Sequence, residues 1–225
     1  MKITLLHPSR GRANKARATL DHWLSRAEKA DEIEHILSCD ADDPELELYK
    51  SLFRDGDIWK HEQKMVIAEN NNVVEATNKA AELATGDIIV YLSDDFECHD
   101  NWDRNIDFAY VGHGSPECWL LRVDDCLQHI RADVLTIPIM TKKLMDHLTY
   151  FWHPSYKSMF VDQDLFYTVQ KNGWLYYAPD LKFPHLHYCN GGAVNDETYQ
   201  RSARHWDEGK KLYHQRMAAG FPLMQ

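Results

Sequence analysis

Four short apolar runs, each stopping in a cluster of polar side chains, constrain this chain more than any other feature. ITLLH ends in HPSRGR, IEHILSC in DADDP, KMVIAEN in further asparagines, and DIIVYL in SDD. Runs of this length are strands, and the segments between them carry helical spacing. Leu20, Trp23, Leu24 and Ala27 follow an i, i+3, i+4, i+7 pattern, which lays an apolar stripe along one helix face. ELELYKSLF predicts a short helix. VVEATNKAAELATGD predicts another, with Val73, Thr77, Ala80, Ala81 and Ala84 on one side and Gly86 as its stop. Strand and helix alternating in this way give an α/β fold with a mainly parallel sheet. The fourth strand, apolar throughout, is expected at the centre with both faces covered. Such sheets bind ligands at the carboxyl ends of their strands, so the polar clusters should converge on one cleft.

Beyond residue 103 the alternation weakens. NWDRNIDFAY predicts a helix, ECWLLRVDD and DVLTIPI strands, and TKKLMDHLTYFW a helix. FWHPSYKSMF is aromatic and irregular. VDQDLFYTVQKNGW predicts a helix opened by carboxylates and closed at Gly173, and WLYYAPDLKFPHLHY an extended segment. DETYQRSARHWDEGKKLYHQRM reads as one long polar helix or a pair. With 225 residues, 44% of them hydrophobic, the chain can bury the core of one large domain.

Two adjacent carboxylates, Asp94 and Asp95, close the fourth strand. Like charges side by side disfavour each other's ionisation unless a cation or a set of donors offsets the repulsion. An Asp pair also makes turns and caps helices, so the pair alone decides nothing. The formal charge of −10 argues against non-specific binding to a nucleic-acid duplex. Arg10, Arg12, Lys15 and Arg17 form the one basic cluster, readable as an anion site or as a solvated helix face. The five cysteines, at 39, 98, 118, 126 and 189, include no C-x-x-C, so neither a disulfide framework nor a cysteine zinc site is indicated. No apolar stretch has the length to span a bilayer, and MKITLLHPSR becomes charged too soon for a secretory signal. A cytoplasmic protein without membrane insertion is expected. Phosphate-loop, dinucleotide, nucleophile-elbow and H-E-x-x-H motifs are absent, as are the pieces of a zinc deaminase.

The order HPSRGR, CDADD, ENNNVVEATNKAAELATGD, IIVYLSDDFECHDNW, VDQDLFYTVQKNGW and HLHY resembles the glycosyltransferases of the GT-A fold, in particular the large inverting group called family 2. The resemblance covers most of the chain, residues 2–190. It implies a GT-A-like sheet flanked by helices with a C-terminal helical extension. It also implies a nucleotide-binding half at 1–103, an acceptor and catalytic half at 104–195, and a helical tail at 196–225 of a single domain. By the same resemblance the chain moves a sugar from a nucleotide-sugar donor, a UDP-sugar being favoured, to an acceptor hydroxyl with inversion. The family's D-x-D is here Ser93-Asp94-Asp95, so Asp95 would bind Mn²⁺ or Mg²⁺ and Asp94 would lie near the ribose or a metal-bound water. Pro8, Ser9, Arg10 and Asp40 would hold base and ribose, with Asn71 and Asn78 near the same pocket. Asp162 in VDQDL stands where the family carries the general base, and Asp164 behind it. A late histidine completes the metal site in such enzymes, His187 being preferred to His185.

His185, His187 and Cys189, at alternate positions, could instead hold zinc, though no fourth ligand is visible. Trp102, Trp152, Tyr156 and Trp174 flank the motifs and could stack on sugars, although core packing is the commoner fate of such rings. Two other functions stay open: nucleotidyl transfer on a related sheet, against which the single Gly of HPSRGR counts, and a catalytically silent module binding a nucleotide sugar or a glycan. The acceptor is a glycan, a small molecule, a protein or a modified nucleic-acid base. The compact chain looks similar to phage-encoded glycosyltransferases, so the cytoplasm would be that of a bacterial or phage-infected cell.

Overall fold

The computed structural model describes residues 1–54, 60–127 and 133–224. The four apolar runs become β1 (Ile3–Pro8), β2 (Ile33–Asp40), β3 (Glu62–Ala68) and β4 (Ile88–Tyr91). Between them lie α1 (Ala13–Arg26), α2 (Leu46–Leu52) and α3 (Val73–Ala81). The second half supplies α4 (Trp102–Gly112), β5 (Leu120–Asp124), β6 (Ile139–Thr141), α5 (Lys142–Leu148), α6 (Val161–Lys171) and β7 (Leu175–Lys182). Two further helices, α7 (Glu197–Ala203) and α8 (Trp206–Ala218), follow.

The described strands form one sheet in the order β3-β2-β1-β4-β6-β5-β7. β1, β2, β3 and β4 run parallel, as does β7 beside β5, while β6 runs antiparallel between β4 and β5. The sheet is therefore mixed and mainly parallel. Alternate residues of each strand feed opposite faces. Leu5, Leu37, Val90 and Leu121 join Leu20, Trp23 and Leu24 of α1 and Ile106 of α4 in one core. Leu6, Ile36, Ile89 and Leu120 join Val74 and Ala80 of α3, Leu144 of α5 and Leu165 of α6 in the other.

Three local expectations are corrected. α3 ends at Ala81 rather than at Gly86. A Cβ at Gly86 would lie 2.6 Å from Thr4 Oγ1 and 2.7 Å from Thr4 N, so this glycine permits close approach to β1 and does not cap the helix. The strand expected over DVLTIPI lies at Ile139–Thr141, because Pro138 has no N–H for a ladder between two neighbours. The helix expected over TKKLMDHLTYFW ends at Leu148, where Thr149 turns left-handed with φ 67°. The polar C-terminal segment forms two helices, and α7 packs across the strand ends instead of trailing from the sheet.

Candidate active site

The loop after β4 is held from below by α1. Thr19 donates its hydroxyl to the Asp94 carbonyl at 2.8 Å, and Trp23 Nε1 donates to the Phe96 carbonyl at 3.0 Å. The β1–α1 loop is fixed by the carboxylates after β2. Gly11 N donates to Asp43 and Ala13 N to Glu45, at 3.0 and 2.7 Å, so the acidic run supplies acceptors for the orphan amides of the loop and helix start.

These loops enclose a cavity of about 210 Å³. Pro8, Ser9, Arg10, Asp40, Asn71 and Asp94 all line it, as the sequence led us to expect. Asp40 accepts from Asn70 at 3.0 Å and Arg10 at 2.8 Å, with Arg201 of α7 at 3.5 Å. Asn71 is tied to Glu75 through its backbone and its side-chain amide. Asn78 does not line this cavity. Its amide donates to the Trp152 carbonyl at 2.7 Å and accepts from the backbone of Phe151 and Trp152, so it fastens α3 to the aromatic loop.

A second cavity of about 230 Å³ adjoins the first, with Val73, Tyr91, Ser93, Ser158, Tyr199 and Ser202 lining both. Asp95, Asp162, His185 and His187 line the second. The two aspartates of SDD thus stand on the boundary, Asp94 lining one chamber and Asp95 the other. Both are buried, at 4% and 3% exposure. Asp94 is fully engaged: His7 Nε2 lies 2.9 Å from Oδ1, Ser9 donates to Oδ2 at 2.9 Å, and an Arg12 nitrogen lies 3.9 Å from Oδ2.

Asp95 is not fully engaged. His185 Nε2 lies 3.1 Å from Oδ2 and the Tyr199 hydroxyl donates to the same oxygen, while Oδ1 is buried with no hydrogen-bond partner. Burial opposes its ionisation, yet His185, the Tyr199 bond and the neighbouring Ser93 side chain outweigh burial and hold this carboxyl below its ordinary range. Burial, Asp95 and the Asp95 charge push the Tyr199 phenol upward, so it stays a donor. Asp164 of α6 is spent on Tyr156, Thr168 and Arg216. Asp162, two residues earlier, borders the second cavity and accepts from the Gln163 amide at 2.9 Å.

An unpartnered carboxylate oxygen beside an imidazole fits a hard divalent cation, which takes one or two protein ligands and completes its shell with water and phosphate. His185 is the histidine against Asp95. His187 packs its ring on His185 and Tyr199 at 4.9 and 4.8 Å, and burial lowers its basicity. Among the described residues no group of three or more His, Cys, Asp or Glu side chains is arranged to hold a metal, and Cys189 is exposed, so the closed cage that structural zinc needs is not assembled.

Sequence reasoning anticipated helix at α7 but missed its docking over the cleft and the role of Arg12. Asp196, the N-cap of α7, receives Arg12 Nε and Nη2 at 2.8 and 2.6 Å. Arg12 lies over the Tyr199 ring at 4.6 Å. Burial works against the Arg12 charge, but Asp196 and Asp94 overcome it and raise its basicity. The second arginine of HPSRGR was the available signal.

Among solved structures, the chain superposes on the mannosyltransferase PcManGT from Pyrobaculum calidifontis in complex with GDP-Man and Mn²⁺, with TM-score 0.71 and 14% identity, covering 95% of this chain and 64% of that one. TarS 1–349 of S. aureus in complex with UDP gives TM-score 0.64 and 15% identity, covering 81% of this chain and 59% of that one. The fold is GT-A. TarS 1–349 in complex with UDP-GlcNAc gives TM-score 0.64 at 13% identity over 89% of this chain and 64% of that one. This GT-A chain therefore spans less than two thirds of the length of each. No protein-family model matches it, and no curated protein matches it by sequence.

Proposed function

We propose that the chain is a metal-dependent glycosyltransferase that moves a sugar from a nucleotide donor to an acceptor hydroxyl with inversion. The observation that carries this reading is the bare, buried Oδ1 of Asp95 at the boundary of two joined cavities in a GT-A fold. In this reading residues 1–103 hold the donor. Asp40 and Asn71 face base and ribose, and Arg10, Arg12 and Arg201 supply positive charge for the diphosphate in an otherwise acidic chain. Asp95 and His185, with His187 beside them, would hold Mn²⁺ or Mg²⁺. Bound there, the cation supplies Lewis-acid stabilisation of the departing nucleoside diphosphate.

Residues 104–195 provide the acceptor side. Asp162, at the head of α6, takes the proton from the acceptor hydroxyl as that oxygen attacks the anomeric carbon. The second cavity carries Tyr91, Phe96, Trp152, Phe160 and Trp206 and, among the described residues, no Lys or Arg. Such a wall suits the C–H faces of an uncharged sugar better than a nucleic acid. All five cysteines are free, which suits the reducing cytoplasm. Among the described residues no helix is long and apolar enough to cross a membrane.

The test is a thermal-shift panel of nucleoside diphosphates and nucleotide sugars, with and without Mn²⁺, on the wild type, Asp95→Ala and Asp162→Asn. A ligand at one hundred times its Kd adds about 2.7 kcal/mol. Mn²⁺-dependent stabilisation by one nucleotide family is expected in the wild type and in Asp162→Asn, and is lost in Asp95→Ala. Release of nucleoside diphosphate should follow in the wild type alone. Binding without release, across a panel of acceptors, would leave a binding module, and no response to any nucleotide would overturn the reading.

A further inference from the structure

The amino end of α7 is seated on the groups that the donor site would use. Asp196 receives both Nε and Nη2 of Arg12, the parallel fork in which a guanidinium also takes two oxygens of a phosphate. The Arg12 side chain is 7% exposed and its Nη1 lies 3.9 Å from Asp94, so with Asp196 in place the fork is spent. Tyr199 donates to Asp95 beside the second cavity, and Thr198 Oγ1 donates to the Arg10 carbonyl at 3.2 Å. None of the α7 residues is buried, so its hold on the sheet is polar, with the Tyr199 ring packed on His187 and under Arg12.

The chain on either side lets this end lift. Two successive glycines, Gly191 and Gly192, lead into it and leave the backbone there unrestricted by side chains. Behind it α8 is anchored: Trp206 packs on Phe160 at 4.9 Å, and a Cβ at Gly209 would lie 2.4 Å from the Met159 carbonyl oxygen. Arg201, in the carboxyl half of α7, reaches Asp40 and the Asn71 carbonyl at 3.5 Å. These are long contacts, and a diphosphate would attract this arginine where it would repel Asp196.

From this arrangement we infer that the amino-terminal turn of α7 is an autoinhibitory strap. Asp196 stands on Arg12 in the place of a donor phosphate and the Tyr199 hydroxyl stands on Asp95 in the place of a cation, so a nucleoside diphosphate with its cation binds by lifting that turn while Arg201 stays. The inference rests on the reading of the first cavity as a donor site. When only the lifted form binds, the apparent Kd is the intrinsic one divided by the lifted fraction, so a strap seated in about nine molecules of ten weakens binding about tenfold. A mere wall of the site would act in the opposite sense, because the ligand would then gain contacts from α7.

The test pairs calorimetry with amide hydrogen exchange on the wild type and Asp196→Asn, the probes being a panel of nucleoside diphosphates and inorganic pyrophosphate, each with Mn²⁺. Asparagine caps a helix as well as aspartate does, and the Asp196 side chain is 40% exposed, so the fold and α7 should survive while the carboxylate leaves the Arg12 fork. Asp196→Asn is expected to bind the probe several-fold more tightly, and the bound probe is expected to speed exchange at residues 191–200 of the wild type. In Tyr199→Phe, which removes one donor from Asp95, Mn²⁺ alone should bind several-fold more tightly. Equal or weaker binding by Asp196→Asn, or exchange at residues 191–200 slowed by the probe, would overturn the strap and make α7 a wall. A gain for pyrophosphate with no response to any nucleotide would leave the strap standing and sink the transferase reading. No binding of any probe by either protein would overturn both.

Discussion

Two buried carboxylates, Glu34 and Asp95, sit at opposite ends of the parallel strands and are treated in opposite ways. Glu34, at the amino end of β2, has no exposed surface. Lys64 at 2.5 Å and the Thr85 hydroxyl at 2.7 Å donate to one oxygen, and Thr4 and the Thr85 amide donate to the other. Burial opposes its charge, but these donors outweigh burial and bring the carboxyl down to about 2. Asp95, past the carboxyl end of β4, has His185 and Tyr199 on one oxygen, while the other is buried without a hydrogen-bond partner. Both are ionised and buried, so burial and charge do not separate structural from functional carboxylates. Unused acceptor capacity does: Glu34 holds strands together, and Asp95 is kept incomplete beside a cavity.

That contrast breaks most visibly at Asp95. Asp95→Ala should lower sugar transfer on the order of 10³-fold, about 4 kcal/mol of barrier. Its unfolding midpoint should stay level or rise, since one of two adjacent buried like charges is gone. Wild-type turnover in this variant would erase the distinction. Glu34→Ala should do the reverse, costing about 3 kcal/mol in urea unfolding because the Thr4 hydroxyl and the Thr85 amide lose their buried acceptor and Lys64 one of its two carboxylates, with turnover per folded molecule unchanged.

Acid sharpens the comparison further. The Glu34 carboxyl is lowered in the folded protein from 4.5 to about 2, so its contribution is fully present above pH 4.5 and is lost as pH falls toward 2. The stability gap between wild type and Glu34→Gln should therefore narrow across that window, as read from urea midpoints. The smallest effect is expected at Asn78. Asn78→Ala should cost about 1–2 kcal/mol, through the unsatisfied backbone groups of Phe151 and Trp152, and leave nucleotide affinity unchanged.

The parts of the fold legible in the sequence are those specified locally. β1, β2 and β4 announce themselves because each is an apolar run cut off by polar residues, and the GT-A resemblance arranged those runs correctly. Pro8, Ser9, Arg10, Asp40, Asn71 and Asp94 meet at one cavity for the same reason: each sits at the end of a strand or the start of the following helix. Asn78 misled because an amide inside a helix gives no sign of whether it faces a ligand or a neighbouring loop. The docking of α7, though not its helical state, was illegible for a different reason. None of its residues is buried, so no apolar stripe marks the face that docks. Its placement comes from charge pairs such as Asp196 with Arg12, 184 positions apart, and Arg201 with Asp40, 161 apart. Local periodicity carries no information about such partners.

α7 also has a consequence for how the molecule is made. The strands that present Arg10, Asp40 and Asp95 are synthesised well before Asp196, Tyr199 and Arg201, the side chains that close over them. Chains fold from the amino end as they emerge. On the ribosome the sheet can therefore assemble while its cleft still lacks one wall, and for that interval Arg12 and Asp95 have water where the finished protein gives them a partner. Wall closure is the late step of biogenesis, and nascent chains stalled before residue 196 would be folded at the sheet and open at the cleft.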